Sequence, residues 1–403
     1  MRGFFWYLMP FFVLISGNFS PYRIGPVSPI YILIALYVLV NIKVLINILY
    51  NNGRLTLFYF IFIFYTIFFS MMSINVFNIQ GNEFNGAISP ILYTFLGIFR
   101  YVLILFFVLI VARVEYLPHK NIYRSILSLY LLLLSILVLQ VFAFNIFNIE
   151  LGYIYHYGDA VRYGGLTGEP QTLSAWIFTS FLFLYTCKND QKHNLRYKFF
   201  LLLSMAIILI FTKSTVWILA FLSFIVIYFK YTFYTKFLIL GLLMYLVFGG
   251  LGQELENKIY GDLLLISERS ITIVAGFEVF SNNFYTYIFG YGASLSPYLI
   301  INTEIMETYP WFNLSNIGRQ NVMNPYLEIL FEFGILGVII FLYLFFKSSN
   351  IVNIRTFVAL IPIFIGIFSI GGGFVASYFA IFIPLIVNNI TPLEDKKKNI
   401  YDC

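Results

Sequence analysis

The stretch Ile91-Leu-Tyr-Thr-Phe-Leu-Gly-Ile-Phe-Arg-Tyr-Val-Leu-Ile-Leu-Phe-Phe-Val-Leu-Ile-Val111 decides the fold class of this chain. Its only charged residue is Arg100, and the remainder is almost entirely apolar or aromatic. A helix that crosses a bilayer core of about 30 Å needs about 20 predominantly apolar residues, which is the length of this stretch. The pattern therefore predicts a membrane-spanning helix.

The rest of the sequence has the same character. Of its 403 residues, 61% are hydrophobic and only 10% are charged, and the mean hydropathy is +0.87. A soluble domain usually carries about 25% charged residues, and its core cannot shield this much apolar surface from water. We therefore predict an all-α polytopic membrane protein, with residues 1–403 forming a single integral membrane domain. A soluble enzyme, a secreted disulfide scaffold and a disordered chain are excluded.

Apolar runs separated by polar breaks predict about twelve spans, with a range of 10 to 12 because several runs are short. The predicted spans are Phe4–Ile15, Ile30–Tyr50, Leu55–Ile74, Ile91–Val111, Ile122–Phe147, Thr172–Cys187, Phe199–Phe211, Thr215–Phe229, Phe237–Leu251, Pro325–Phe346, Thr356–Ile370 and Phe374–Val387. An even number of spans places both termini on one side of the membrane.

The basic residues orient these spans. With both termini in the cytoplasm, including the tail at 390–403, 17 of the 24 lysines and arginines fall on cytoplasmic segments. The other seven are Arg23, Arg100, Arg162, Lys213, Lys258, Arg269 and Arg319. Because cytoplasmic loops carry an excess of Lys and Arg, this distribution favours the orientation with the termini inside. The basic residues thus serve as topology markers, and the net charge of +6 does not predict a nucleic-acid partner.

Two segments are predicted to lie on the outer side. The segment 252–324 is a large loop whose stretch Ser267–Phe280 predicts a helix at the membrane interface. The segment 148–171 contains glycines that allow tight turns, and Arg162, whose planar guanidinium suits a phosphate. Pro170 is well placed to begin the following helix, whose N-terminus favours an anion. A phosphate-bearing ligand would fit this segment.

Two further basic residues, Arg100 and Lys213, lie within or next to predicted spans. Arg100 lies inside a span, where an arginine normally faces a cavity, an acidic partner or an anionic ligand. Both ligand contact and an internal ion pair remain open for it. Lys213 lies at the outer turn between two short helices, where it either contributes to function or is an ordinary lysine that reaches out to water.

Cys187 and Cys403 lie far apart, with no further Cys or His at the spacing of metal ligands. We therefore predict no disulfide framework, no metal and no cofactor.

Four short blocks occur in the C-terminal two-thirds of the chain. They are Arg162-Tyr-Gly-Gly-Leu-Thr-Gly-Glu-Pro-Gln-Thr172, the turn Phe211-Thr-Lys-Ser-Thr215, the run from Arg269 through Phe280 to Gly290-Tyr-Gly292, and Asn324-Pro-Tyr-Leu-Glu-Ile-Leu-Phe-Glu-Phe-Gly-Ile-Leu-Gly337. In order and spacing, these blocks resemble the superfamily of O-antigen polymerases and O-antigen ligases, which are polytopic C-type glycosyltransferases.

The resemblance implies a reaction at the outer face of the bacterial cytoplasmic membrane. Such enzymes join oligosaccharide repeat units that are carried on undecaprenyl pyrophosphate, which serves as both donor and acceptor. Membrane lipids and a chain-length regulator protein are the other partners it implies. Arginine suits the leaving pyrophosphate because it stays charged and binds phosphate in a bidentate way.

Carried onto this sequence, the resemblance nominates Arg162 and Arg319 as catalytic and Glu169 as the base that activates the acceptor hydroxyl. Arg269, Arg100, Lys213, Asn324 and Glu328 are the predicted substrate- or pyrophosphate-binding residues. Structural alternatives remain for the acidic residues. Glu169 suits a helix cap paired with Arg162, and Glu328 and Glu332 either orient an arginine or pair with one to lower their burial cost.

One departure from the family pattern distinguishes a polymerase from a ligase. O-antigen ligases tend to have a histidine immediately before the Asn-x-Tyr-Leu block, where this chain has Met323. This favours a polymerase over a ligase that transfers polysaccharide to a lipid A core. The remaining alternative is a flippase for lipid-linked oligosaccharides, which would require charges distributed over several spans.

Overall fold

A computed structural model describes residues 4–8, 29–79, 89–113, 119–157, 160–165, 170–187, 195–228, 237, 241, 268–281, 283–300, 303, 324–351, 353–367 and 377–390. This part of the chain is mostly helical. Its elements after residue 8 are α1 (Pro29–Val40), α2 (Ile42–Asn51), α3 (Gly53–Val76), α4 (Pro90–Arg113), α5 (His119–Phe147), β1 (Tyr153–Tyr157), β2 (Ala160–Gly165), α6 (Pro170–Thr186), α7 (Leu195–Thr212), α8 (Thr215–Tyr228), α9 (Glu268–Ser281), α10 (Phe284–Phe289), α11 (Ser296–Ile300), α12 (Pro325–Ser348), α13 (Ile354–Ile367) and α14 (Ser377–Ile390).

Four helices are long and apolar enough to cross a membrane: α3, α4, α5 and α12. The bent pair α1–α2 would make a fifth span. These helices coincide with five of the predicted spans, so the chain has the character of a membrane protein. The count of twelve stays a prediction, since α8, α9, α13 and α14 are shorter apolar helices and most of Phe237–Leu251 lies outside the described residues.

The predicted span Ile30–Tyr50 is not one straight helix. It bends by 67° between α1 and α2, at Asn41. The Asn41 side chain donates a hydrogen bond to the Tyr37 carbonyl at 2.8 Å. Its backbone N–H is shared between the carbonyls of Tyr37 and Val38. A polar side chain that competes for backbone partners in this way is an ordinary cause of a helix kink.

The outer segment 148–171 was predicted as a loop with tight turns, and the structure shows a two-stranded antiparallel hairpin there. β1 and β2 pair Tyr155 with Arg162 and His156 with Val161. Alternating aromatic and β-branched residues in Tyr153–Tyr157 suit a strand. The structure confirms a helix at Ser267–Phe280, which is α9. Its position at the membrane interface stays a prediction, and Ile271 and Ala275 are buried against neighbouring elements.

Helix α4 occupies the centre of the bundle. Between Leu103 and Ala112 every side chain is buried except that of Phe106, which is partly buried. The helix packs against α1, α3, α12 and α14. A helix that is apolar on all sides is suited to such a position, because no face of it favours water.

Helix α12 is broken at Gly334, whose backbone has φ 62° and ψ −177°. The carbonyl groups that lose their helical partners at this break accept hydrogen bonds from groups outside the helix. Tyr291 N–H donates to the Phe331 carbonyl (2.9 Å), Gly292 N–H donates to the Glu332 carbonyl (3.0 Å) and the Tyr65 hydroxyl donates to the Phe333 carbonyl (2.8 Å). Backbone N–H groups of the segment after α10 are thereby bonded to α12, a helix long and apolar enough to cross a membrane. Irregular backbone inside a bilayer requires internal partners of this kind.

Candidate functional site

The structure brings Arg100 of α4 into contact with Glu328 of α12. Arg100 Nη2 lies 3.6 Å from Glu328 Oε1, and the two side chains are only 4% and 0% exposed. This distance makes an ion pair somewhat longer than a hydrogen bond. Arg100 Nε has no hydrogen-bond partner among the described residues. Of the two arrangements left open by the sequence, the structure shows the internal ion pair, and ligand binding by either residue stays a prediction.

A second carboxylate lies one turn further along α12. Glu332 Oε2 accepts a hydrogen bond from the Tyr101 hydroxyl at 2.8 Å, and Glu332 Oε1 accepts one from the Ser294 backbone N–H at 2.9 Å. The guanidinium of Arg100 also lies 4.8 Å from the centre of the Tyr101 ring. These residues form one buried polar cluster that joins α4, α12 and the segment after α10.

The cluster extends to Tyr291, which is fully buried. Desolvation raises the pKa of Tyr291 well above its usual value of 10.0, and the charges of Glu332 and Glu328 contribute in the same direction. The hydroxyl therefore stays protonated. Sequence reasoning did not identify Tyr101 or Tyr291, because tyrosine is so frequent in this chain that no single one stands out.

Arg162 lies at the second candidate site, on strand β2. Its Nε donates a hydrogen bond to the Thr212 carbonyl at 3.2 Å, at the end of α7. The next residue, Lys213, is half-buried and has a positive φ of 48°. Ser174 of α6 donates a hydrogen bond to the Thr212 hydroxyl at 2.8 Å. Two predicted cationic residues are thus assembled where the hairpin, α6 and the α7–α8 turn meet.

Gln140 of α5 attaches the hairpin to the bundle. Its Nε2 donates to the carbonyls of Leu151 and Tyr153, at 2.6 and 2.9 Å, and its Oε1 accepts from Gly165 N–H at 3.0 Å. One buried amide therefore holds the chain on both sides of the hairpin, and this places Arg162 against α7.

Replacing Gln140 with leucine is expected to lower the free energy of unfolding by about 2–3 kcal/mol, because three backbone groups lose the buried amide that bonds to them. Thermal unfolding of the purified protein in detergent measures this. Asn145→Leu is a suitable control, because Asn145 is exposed and donates to the Tyr163 hydroxyl on the same hairpin. Equal stability of Gln140→Leu and the wild type would show that the hairpin is held elsewhere.

Asn324 begins α12. Its side-chain oxygen accepts hydrogen bonds from the backbone N–H groups of Tyr326 and Leu327, at 3.1 and 3.2 Å, and Pro325 follows as the first helical residue. This is an ordinary helix cap. The observed contacts of Asn324 are therefore structural, and its predicted role in substrate binding rests on the resemblance alone.

The remaining predicted site residues are not placed by the structure. Glu169, Arg319 and Met323 lie outside the described residues, and Arg269 belongs to α9 but its side chain is not described. Among the residues that the structure does describe, no three His, Cys, Asp or Glu side chains are grouped as metal ligands. A metal-independent reaction without a cofactor stays a prediction.

Compared with known proteins, the chain matches no protein-family model and has no significant match to a curated protein.

Proposed function

We propose that this protein is a polysaccharide polymerase of the bacterial cytoplasmic membrane. It would join oligosaccharide repeat units carried on undecaprenyl pyrophosphate into O-antigen or capsule. The observation that carries the proposal is the contact between Arg162 and the Thr212–Lys213 turn, at 3.2 Å. This contact joins two of the blocks on which the resemblance rests, and each of these blocks contains a cationic residue.

The proposed reaction is a group transfer. A hydroxyl oxygen of the acceptor sugar forms a bond to the anomeric carbon of the donor, and the bond from that carbon to the pyrophosphate oxygen breaks. The acceptor proton passes to a base, for which Glu169 is the candidate. The leaving undecaprenyl pyrophosphate carries the negative charge, and Arg162, Lys213, Arg269 and Arg319 are the candidates to stabilise it.

The proposal includes a topology of about twelve spans with both termini in the cytoplasm. It rests on the distribution of the basic residues and on the helices α3, α4, α5 and α12. In this orientation the hairpin and the segment 252–324 face outward, where a lipid-linked donor and acceptor would both be available.

A gene deletion tests the proposed function directly. Surface polysaccharide from the deletion strain is compared on a gel with that from the complemented strain. A polymerase predicts that long chains disappear while lipid A core bearing a single repeat unit remains. Loss of every repeat, including the single one, would instead indicate ligation or flipping, and an unchanged ladder would contradict all three functions.

Replacing Arg162 with alanine is expected to abolish long chains, and Arg162→Lys to shorten them, because lysine keeps the charge but loses the planar fork. Chain length on the same gel, at equal protein levels in the membrane, is the measurement. Arg54→Ala is the control, because Arg54 is exposed at the start of α3 and is predicted to face the cytoplasm. Wild-type chains in both Arg162 variants would remove Arg162 from the proposed site.

A flippase for lipid-linked oligosaccharides is the second candidate. The buried Arg100–Glu328 pair supports it, since ionisable groups inside spans often mark a transport pathway. The same residues are sealed from solvent in this structure, whereas the half-buried Arg162 and Lys213 lie at helix ends. The polymerase is therefore the function that the arrangement supports better.

A further inference from the structure

The segment between α10 and α11 is held by the bundle along its whole length. Tyr291 and Gly292 donate backbone hydrogen bonds to α12, and Ala293 N–H donates to the Ser70 hydroxyl of α3 at 3.0 Å. The next backbone N–H, that of Ser294, donates to Glu332 Oε1 at 2.9 Å. Four consecutive N–H groups of a non-helical segment are thus satisfied by two membrane helices.

Only one of these four acceptors is the carboxyl group of a side chain. The Glu332 carboxyl group is 1% exposed and accepts a hydrogen bond from the Tyr101 hydroxyl of α4 on its other oxygen. Ser294 in turn lies directly over Gly97 of α4, where an added Cβ would collide with the Ser294 hydroxyl. The segment is therefore fitted closely to α4 and α12 at this point.

We propose that Glu332 is a positioning residue that ties the segment 290–296 to α4 and α12. This segment is part of the outer loop 252–324, and through it Glu332 fixes the position of α10 and α11 against the bundle. This loop contains Arg269 and Arg319, so the connection to polymerisation rests on the proposed function. The structural part of the proposal rests on the observed contacts alone.

Hydrogen–deuterium exchange of the purified protein in phospholipid nanodiscs tests the structural part. In Glu332→Met, which keeps a similar volume without an acceptor, the Ser294 amide is expected to exchange at least about tenfold faster. Glu332→Gln is expected to retain much of the protection, because its amide oxygen still accepts from Ser294. Wild-type exchange in Glu332→Met, or equally fast exchange in both variants, would overturn the proposal.

Two tyrosine variants separate the hydrogen bond from general loosening of the bundle. Tyr101→Phe removes the hydroxyl that holds Glu332 and is expected to speed exchange in 291–294. Tyr59→Phe is the matched control, because the Tyr59 hydroxyl is equally buried and bonds to α4 and α12 at Leu105 and Ser348. Equally faster amide exchange in both variants would mean that looser packing alone opens the segment, and this would contradict the proposal.

Polysaccharide length in the complemented strain tests the functional connection. We expect short chains with Glu332→Met and recovery with Glu332→Gln, at equal membrane levels. Faster exchange with normal chains would overturn the connection to polymerisation while the positioning contact stands. Absence of polymerisation by the wild-type protein would overturn the proposed function, and the exchange result would be unaffected by it.

Discussion

Replacing Arg100 with methionine is expected to lower the free energy of unfolding by about 3–5 kcal/mol, because it leaves the buried Glu328 carboxylate without its cation. The two side chains are 4% and 0% exposed, so water cannot take over the role of the guanidinium. Methionine is uncharged and has a comparable volume, so the loss is mainly electrostatic. Thermal and chemical unfolding of the purified protein in detergent measure it.

A double variant tests whether the loss comes from the stranded charge. In Arg100→Met combined with Glu328→Met, no unpaired charge remains at this position, and most of the stability is expected to return. Arg54→Met provides the control for loss of an exposed arginine. If Arg100→Met alone is as stable as the wild type, the contact at 3.6 Å does not hold the bundle together.

Replacing Gly334 with alanine is expected to lower the free energy of unfolding by about 3–5 kcal/mol, the upper range for a single substitution. Its φ of 62° and ψ of −177° lie in a region that is essentially restricted to glycine. An added Cβ would also collide with the Ile288 carbonyl oxygen, a backbone atom that cannot rotate away. The contact between α10 and α12 would therefore have to open.

Gly53→Ala is the control for this substitution, since a Cβ at Gly53 meets no atom within 4 Å and lies at the start of α3. Its stability is expected to equal or slightly exceed that of the wild type. Thermal unfolding compares the two variants, and hydrogen–deuterium exchange in 284–294 locates the damage. Normal stability of Gly334→Ala would show that α12 is able to continue as a regular helix through this position.

The structure places the predicted site residues in two separate groups. Arg162 bonds to the Thr212 carbonyl, which precedes Lys213 at the α7–α8 turn, whereas Arg100 and Glu328 are paired inside the bundle. The sequence placed all four in one site, with Arg162 as a catalytic residue and the other three as binding residues, because a motif records the type of residue and not the direction of its side chain. The ion pair joins residues that lie more than 200 positions apart, and no local pattern specifies such a contact.

Local signals determined much of the fold. Predominantly apolar stretches are sufficient to predict α3, α4, α5 and α12, because a bilayer requires a fixed helix length and satisfied backbone groups. Asn324 followed by Pro325 marks a helix start, since both act on the first turn of their own helix. The periodic stretch Ser267–Phe280 likewise predicts α9.

The tertiary structure alone decided the features that depend on distant partners. Hydropathy cannot show the bend at Asn41 or the break at Gly334, because both residues stand in apolar stretches long enough to span. The hairpin at 153–165 forms against Gln140. Glu332 finds its partners in Tyr101 and Ser294. The composition and order of residues thus specified a bundle of membrane helices. The packing of those helices then determined which buried polar groups are bonded to one another. Each buried polar group needs such a partner, because no water is available to bond to it.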